Sequence, residues 1–271
     1  MGLAKAMAFA WTLALAMAVL LVGMEARAAN RAASDELPEI VGVGPSGPAI
    51  PENLLRISIR FASAPDGPVL RRLALIGHDD RPLFEPFLDQ ELWSPDGKVL
   101  TVLFHPGRVK TGLIAHDELG GVLVEGESIR LTLDGRELQR WQVLARDETG
   151  PRADAWALSP VAVGRRDPLL VRLDAPVDAL EAGYLAVLDA RGRRVPGRGE
   201  FLDGETTWRF SPARAWTGGP FRLVVRGTLE DPAGNRLNGR FEVAAGEVPP
   251  PARDVVLPLT LCSSKAACPS R

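Results

Sequence analysis

The sequence predicts an all-β chain built as two tandem β-sandwiches. Three observations predict it. Short apolar runs alternate with polar residues at period two. Turn signals rich in Asp, Gly and Pro separate the runs. The same order of runs and turns then occurs a second time. Alternation of this kind gives a strand one buried and one wet face, and Asp and Gly mark turns because turns need local side-chain hydrogen bonds and positive φ.

The chain opens with Lys5 and an uncharged apolar stretch over residues 6–23, followed by Met24-Glu25-Ala26-Arg27-Ala28-Ala29. Small residues at 26 and 28 suit signal-peptidase cleavage after Ala28. An uncleaved anchor needs roughly 20 apolar residues, and this stretch falls just short. No Cys follows at the position where lipid is attached. The expected organisation is a signal peptide (1–28), a linker (29–52), a first sandwich (53–146), a second linker (147–160), a second sandwich (161–246) and a Pro-rich C-terminal tail (247–271). The expected location is secreted, periplasmic or in the cell envelope. Membrane contact is expected only through the signal peptide during export.

Cleavage removes two of the 32 basic and one of the 34 acidic residues and leaves a net charge of −3. A near-neutral chain lacks the concentrated basic face of a nucleic-acid binder. Arginine dominates the cations, the lysines being Lys5, Lys98, Lys110 and Lys265. The high Ala, Gly and Pro content accompanying it points to a GC-rich coding bias more than to anion binding.

The elements follow in order. Val41-Gly42-Val43-Gly44-Pro45-Ser46-Gly47-Pro48 is too rich in Gly and Pro for a helix and reads as linker. Leu55, Ile57, Ile59 and Phe61 then alternate with Arg56, Ser58 and Arg60. Further strands are expected at 70–76, 99–104, 128–133 and 138–143, with turns at 78–80, 94–97 and Asp134-Gly135. In the second half, Val171-Arg172-Leu173 with Ala175-Pro176 matches Ile59-Arg60-Phe61 with Ala64-Pro65. Phe210-Ser211-Pro212-Ala213-Arg214 matches Phe104-His105-Pro106-Gly107-Arg108, and Arg222-Leu223 with Gly227 matches Arg130-Leu131 with Gly135. Three matches in one order indicate an internal duplication. Each copy approaches the roughly 100-residue size of an immunoglobulin-like sandwich.

Phe104 and Arg130 are further apart than Phe210 and Arg222, so copy one carries an insertion around residues 110–126. It predicts a helical turn at His116-Asp117-Glu118-Leu119. His116, Asp117 and Glu118 form a candidate binding loop, because loops on a rigid scaffold often carry function; the alternative is a plug over an open sheet edge. The tail begins with Glu247-Val248-Pro249-Pro250-Pro251, a stiff spacer. Residues 255–261 after it are apolar enough for a strand or a docking segment. Cys262 and Cys268 are expected to pair as a local disulfide in an exported protein, since C-x5-C alone supplies too few ligands for structural zinc.

Thr207-Trp208-Arg209-Phe210 and Glu230-Asp231-Pro232-Ala233-Gly234-Asn235, with Ala175-Pro176 after an early strand, resemble the bacterial Ig-like domains of S-layer and other cell-surface proteins. The resemblance covers residues 53 to about 245 and rests on turn motifs. Copy two fits it, whereas copy one has Leu133-Asp134-Gly135-Arg136 in place of the A-G-N turn. The resemblance implies an extracytoplasmic spacer, adhesion or recognition module, and supplies no catalytic residues.

No catalytic, metal or cofactor residue is assigned. His78, His105 and His116 show no zinc spacing, and no G-x-S-x-G, phosphate loop or dinucleotide fingerprint occurs. Ser46 lies in the expected linker. Glu230, Asp231 and Asn235 offer calcium-type oxygens, but Asp-Pro-Ala-Gly-Asn is also a self-sufficient turn. Of the tryptophans, Trp93, Trp141, Trp156, Trp208 and Trp216 survive cleavage, and Trp208 is expected in a core with Trp216 as a lid. The expected partner is a protein or cell-envelope polymer, and the expected role is non-catalytic. The alternatives are a hydrolase-like enzyme with a site at the inter-domain cleft or on the insertion, and a carbohydrate-binding accessory protein.

Overall fold

The computed structural model describes residues 37–109, 114–237, 239–241, 248 and 251–263. The expected signal peptide and Cys268 lie outside the described residues. The chain is all-β, apart from short helical turns.

Copy one contains β1 (Ile40–Gly44), β2 (Ala49–Pro51), β3 (Arg56–Phe61), β4 (Leu73–Ile76), β5 (Leu92–Trp93), β6 (Val99–Leu103), the helical turns α1 (Pro106–Val109) and α2 (Ile114–Leu119), β7 (Ser128–Leu133) and β8 (Arg136–Leu144). Copy two contains β9 (Ala157–Leu158), β10 (Val161–Ala162), β11 (Leu169–Arg172), β12 (Leu185–Leu188), β13 (Gly197–Leu202), β14 (Thr207–Pro212), β15 (Arg222–Val225), β16 (Val255–Pro258) and β17 (Leu261–Cys262).

The copies match strand for strand. The sheet β1-β3-β6-β5 corresponds to β9-β11-β14-β13. The sheet β2-β8-β7-β4 corresponds to β12-β15-β16 together with the pair β10-β17. Even the parallel pairing of β2 with β8 recurs as β10 with β17. The expected equivalence of β3 with β11 and of β7 with β15 therefore holds.

Each copy buries its own core. Ile57, Ile59 and Phe61 of β3 pack with Leu75, Ile129, Leu131 and Trp141 from the opposing sheet. Leu169, Val171, Trp208 and Phe210 pack with Leu185, Val187, Leu223 and Val225 in copy two. Period-two burial follows from the pleat, and each such side chain stabilises by roughly 1.5–3 kcal/mol. Trp141, Trp156, Trp208 and Trp216 are all buried, so four of the five tryptophans serve as core.

Three expected boundaries need correction. Residues 40–51, read as linker, form β1 and β2: Val43 pairs with Ile59, and Ile50 is buried against Val143. The Gly/Pro signal there marks the point where the chain crosses from one sheet to the other, not the absence of strand. The second expected linker also folds: Ala153 and Trp156 belong to core two, and β9 pairs with β11. The join is thereby reduced to about residues 145–150. Finally, the tail is not an appendage. β16 pairs with β15, and Leu259 lies in core two, so residues 255–262 supply the closing strands of copy two. The expected end of copy two at 246 stopped short because its last strand follows a long excursion, residues 226–254. The equivalent connection in copy one is the Asp134–Gly135 turn, with φ of 49° and 78°.

Candidate functional site at the junction of the sandwiches

The groups that converge in this molecule do so where the two copies meet. Arg56 occupies the first position of β3, on its wet face. Its Nε donates to Asp178 Oδ2 at 2.5 Å, and its Nη2 donates to Glu230 Oε2 at 3.1 Å. Asp178 also accepts the Leu180 amide as the cap of a 3-10 turn over Ala179–Tyr184. One guanidinium from copy one thus holds two carboxylates of copy two. Burial pulls the Arg56 pKa down, but the charges and hydrogen bonds of Asp178 and Glu230 outweigh it and hold it above the ordinary arginine value.

Beside this clamp runs a buried amide relay. Asn53 grips the Asp147 peptide from both sides: its Nδ2 donates to Asp147 O and its Oδ1 accepts the Asp147 amide, each at 2.9 Å. Asn235 Nδ2, from the copy-two excursion, donates to the same carbonyl at 2.9 Å and also to Asp231 Oδ2. Asn235 Oδ1 accepts the Phe241 amide. Backbone contacts complete the seam. The Leu55 amide donates to Pro232 O, and the Ser46 amide donates to Glu205 Oε2 at 2.9 Å. Gly234 has φ of +82°, and a Cβ there would collide with Leu55, so glycine is required both by the turn and by the close approach of the two copies.

Asp231 is the exceptional group. It is 1% exposed. Burial pushes its pKa up to about 7. Hydrogen bonds from Asn235 and from the Ala233 amide pull the other way, and the Asp147 carboxylate adds to the rise.

A shallow groove of about 960 Å³ opens next to the clamp. Leu92, Trp93, Thr101 and Leu103 of copy one line one side, and Leu180 and Tyr184 of copy two line the other. Leu92, Leu180 and Tyr184 are exposed. The acids nearby already have partners: Glu230 holds Arg56, and Asp96 accepts Ser94 Oγ at 2.6 Å and the Lys98 amide.

The candidate binding loop lies on α2, where His116 is half-buried and Glu118 is exposed. Among the described residues, no hydrogen bond or ion pair joins His116 or Glu118 to the junction groups, and the Asp117 side chain lies outside what is described. The insertion itself is tied down by Arg108, which donates to Gly120 O at 3.3 Å and to Phe84 O. Arg146 donates to Val109 O and so connects α1 to the join. Cys262 is buried on β17 beside β10. Its expected partner Cys268 lies outside the described residues. Glu230, Asp231 and Asn235 do not form a cation site: Glu230 faces Arg56, while Asp231 and Asn235 bond each other. Among the described residues, no group of three or more His, Cys, Asp or Glu side chains is placed to hold a metal ion, and no helix is long and apolar enough to cross a membrane.

Sequence reasoning missed Arg56, Asn53 and Asp178. Arg56 looks like Arg60, another wet-face arginine four residues on. Only the approach of copy two distinguishes them.

No family model matches the chain, and no curated protein matches it in sequence. Among solved structures, an L,D-transpeptidase from Mycobacterium smegmatis shares 12% identity over 59% of this chain and 58% of its own, at a TM-score of 0.25. The present chain thus spans little more than half the length of that protein. Domains 5-6 of the S-layer protein SbsC share 11% identity over 83% of this chain and 98% of theirs, at 0.24. The Yersinia pseudotuberculosis adhesin InvE shares 10% over 80% and 57%, at 0.21. Likenesses of this size carry no argument about activity, so the function rests on the geometry of the junction.

Proposed function

We propose that this chain is an exported, non-catalytic tandem-sandwich protein that serves in the cell envelope as a spacer or recognition module of set shape. The observation that carries the reading is the clamped junction. Two sandwiches with separate cores meet across a join of only a few residues, and Arg56 with the Asn53–Asp147–Asn235 relay fixes their orientation. A spacer needs such fixity, because default domain pairs move relative to one another. A catalytic site needs polar groups converging on open space. Here Arg56, Asp178, Glu230, Asn53 and Asn235 converge on one another. The groove walled by Leu92, Leu180 and Tyr184 is the surface that suits a protein partner.

The test places a photo-cross-linking amino acid at position 184 or 92 of the exported chain in its own cells, with position 170, exposed on the outer face of copy two, as control. The expected result is a chain in the envelope fraction that forms a discrete adduct from 184 and 92 but not from 170. Retention in the cytoplasm, or no adduct from the groove positions, overturns the reading.

A further inference from the structure

We infer that the junction is a proton-operated latch, in which loss of the proton from Asp231 loosens the hold of the copy-two excursion on the join as external pH rises. The inference does not depend on what the groove binds.

The geometry carries it. Asp231 is buried at the seam, one hydrogen bond away from Asn235, which itself reaches across to the Asp147 carbonyl. Among the described residues, the Asp231 carboxylate accepts from neutral N–H groups: the amide and side chain of Asn235, and the amide of Ala233. The surrounding charged groups are committed elsewhere or carry the wrong sign. From the join, Asp147 is a like charge whose own carboxylate accepts from Thr149. Arg146 reaches Val109 O and Glu52. From the excursion, Glu230 and Arg236 pair with each other at 3.6 Å, and Glu230 also binds Arg56. From copy one, Arg56 is further held by Asp178. Arg240 and Glu148 line a small cavity with Asn53, Asp147 and Asn235, and neither has an ion pair to Asp231 among the described residues.

A carboxylate sealed in such a place is costly to ionise. Neutral Asp231 leaves the relay closed. Ionised Asp231 gains most by becoming hydrated, which requires the 231–235 turn to lift from Leu55 and Asp147. Burial, the largest influence on this group, pushes its pKa up to about 7, inside the range that a medium outside the cytoplasm can cross. The direction follows: the latch is closed on the acid side and progressively released as pH rises through neutrality.

The experiment uses the mature chain, residues 29–271, with donor and acceptor dyes at exposed positions 66 in copy one and 191 in copy two. Inter-domain transfer is followed from pH 5 to 9, while the carbon-13 shift of the Asp231 carboxyl is followed in unlabelled-dye protein. The expected result is a narrow distance distribution at pH 5 that broadens with a midpoint near 7, matching the carboxyl titration. Asp147→Asn, which removes the like charge, should move both midpoints to lower pH. Asp231→Asn should abolish the transition. Should Asp231→Asn fail to fold, the carboxyl titration and Asp147→Asn still decide the matter. A carboxyl that titrates in the ordinary range near 4, or transfer that is constant across the range, overturns the latch.

Discussion

The two copies share one strand plan but spend their extra chain in different connections. Copy one turns from β7 to β8 through Asp134–Gly135 and inserts residues 104–127 between β6 and β7. Copy two makes the short connection between β14 and β15 and inserts residues 226–254 between β15 and β16. Both insertions nonetheless arrive at one place. Arg146 ties Val109 of the first to the join, and Asn235 of the second binds Asp147 in the join. The difference teaches that the duplicated scaffold is generic and that the individuality of each copy is directed at its neighbour. A head-to-tail tandem puts opposite ends of the same fold in contact, so equivalent loops cannot both serve the seam.

The sharpest way to break this comparison is at the closing strands of copy two. If residues 255–262 are the counterpart of β8, ending the chain at residue 250 deletes Leu257, Leu259 and Leu261, removes the β10 pairing with β17 and leaves β15 paired on the β12 side alone. Copy two should then fail to fold, while copy one keeps its melting transition. A truncated protein with two intact transitions, seen by calorimetry, would show that the tail is an appendage after all. Nearly as large is the effect of Val171→Asp or Leu223→Asp, since both side chains are fully buried and an unpaired charge in a small core costs more than about 4 kcal/mol. Arg172→Ala, on the exposed face of β11, should change stability by less than about 0.5 kcal/mol. Circular dichroism melts separate these outcomes.

The clamp is next. Arg56→Ala removes the cation shared by Asp178 and Glu230, while Glu230 keeps its longer ion pair with Arg236, and should cost about 3 kcal/mol of coupling between the copies. The expected sign is that two sandwiches melting together come to melt apart, with little change in the transition of copy one. Unchanged cooperativity would mean that Arg56 is a bystander. The acidity of Asp231 gives an effect with a definite sign. A carboxyl whose folded pKa lies near 7 and whose ordinary value is 3.8 binds its proton more tightly when folded. The contribution of Asp231 to stability is therefore greatest below about pH 4, falls as pH rises toward 7 and levels off above it. The melting temperature of copy two should drop across that window, and Asp231→Asn should flatten the dependence.

The fold was legible in the residues because strands declare themselves locally. Ile57, Ile59 and Phe61 alternate, and Asp134-Gly135 can only be a turn, so β3, β7 and their counterparts were placed within a residue or two. The edges were less legible. β1 contains two glycines and ends at Gly44-Pro45, so its local pattern says loop, and only pairing with β3 makes it strand. β16 stands behind prolines and a long excursion, so nothing local links it to β15. The site was scarcely legible at all. Asn53, Asp147 and Asn235 are scattered over more than 180 residues and have ordinary turn chemistry. Their roles come from the close packing of the two copies, which period and spacing do not encode. The Asp231–Asn235 turn was visible as a turn, but its burial against copy one was not.

The smallest expected effect concerns the end of the chain. Cys262 sits on a two-residue strand that pairs with β10, and so short a pairing frays unless something retains it. A bond to Cys268, with five residues between them, would close a small loop and stabilise by roughly 2 kcal/mol, applied locally. Peptide mapping of exported protein without reductant should find residues 262 and 268 cross-linked, and two alkylatable thiols would remove the idea. Reduction should lower the melting temperature of copy two by only about 2 °C, because Leu257 and Leu259 stay packed whether or not β17 frays. Its first sign should be faster amide exchange at Val161 and Val163, whose N–H groups donate to Thr260 O and Cys262 O. Copy one should not change. It closes the same sheet with the continuous nine-residue β8, where copy two relies on two short pieces, and a covalent tie at the end of the second piece is the compensation that this difference calls for.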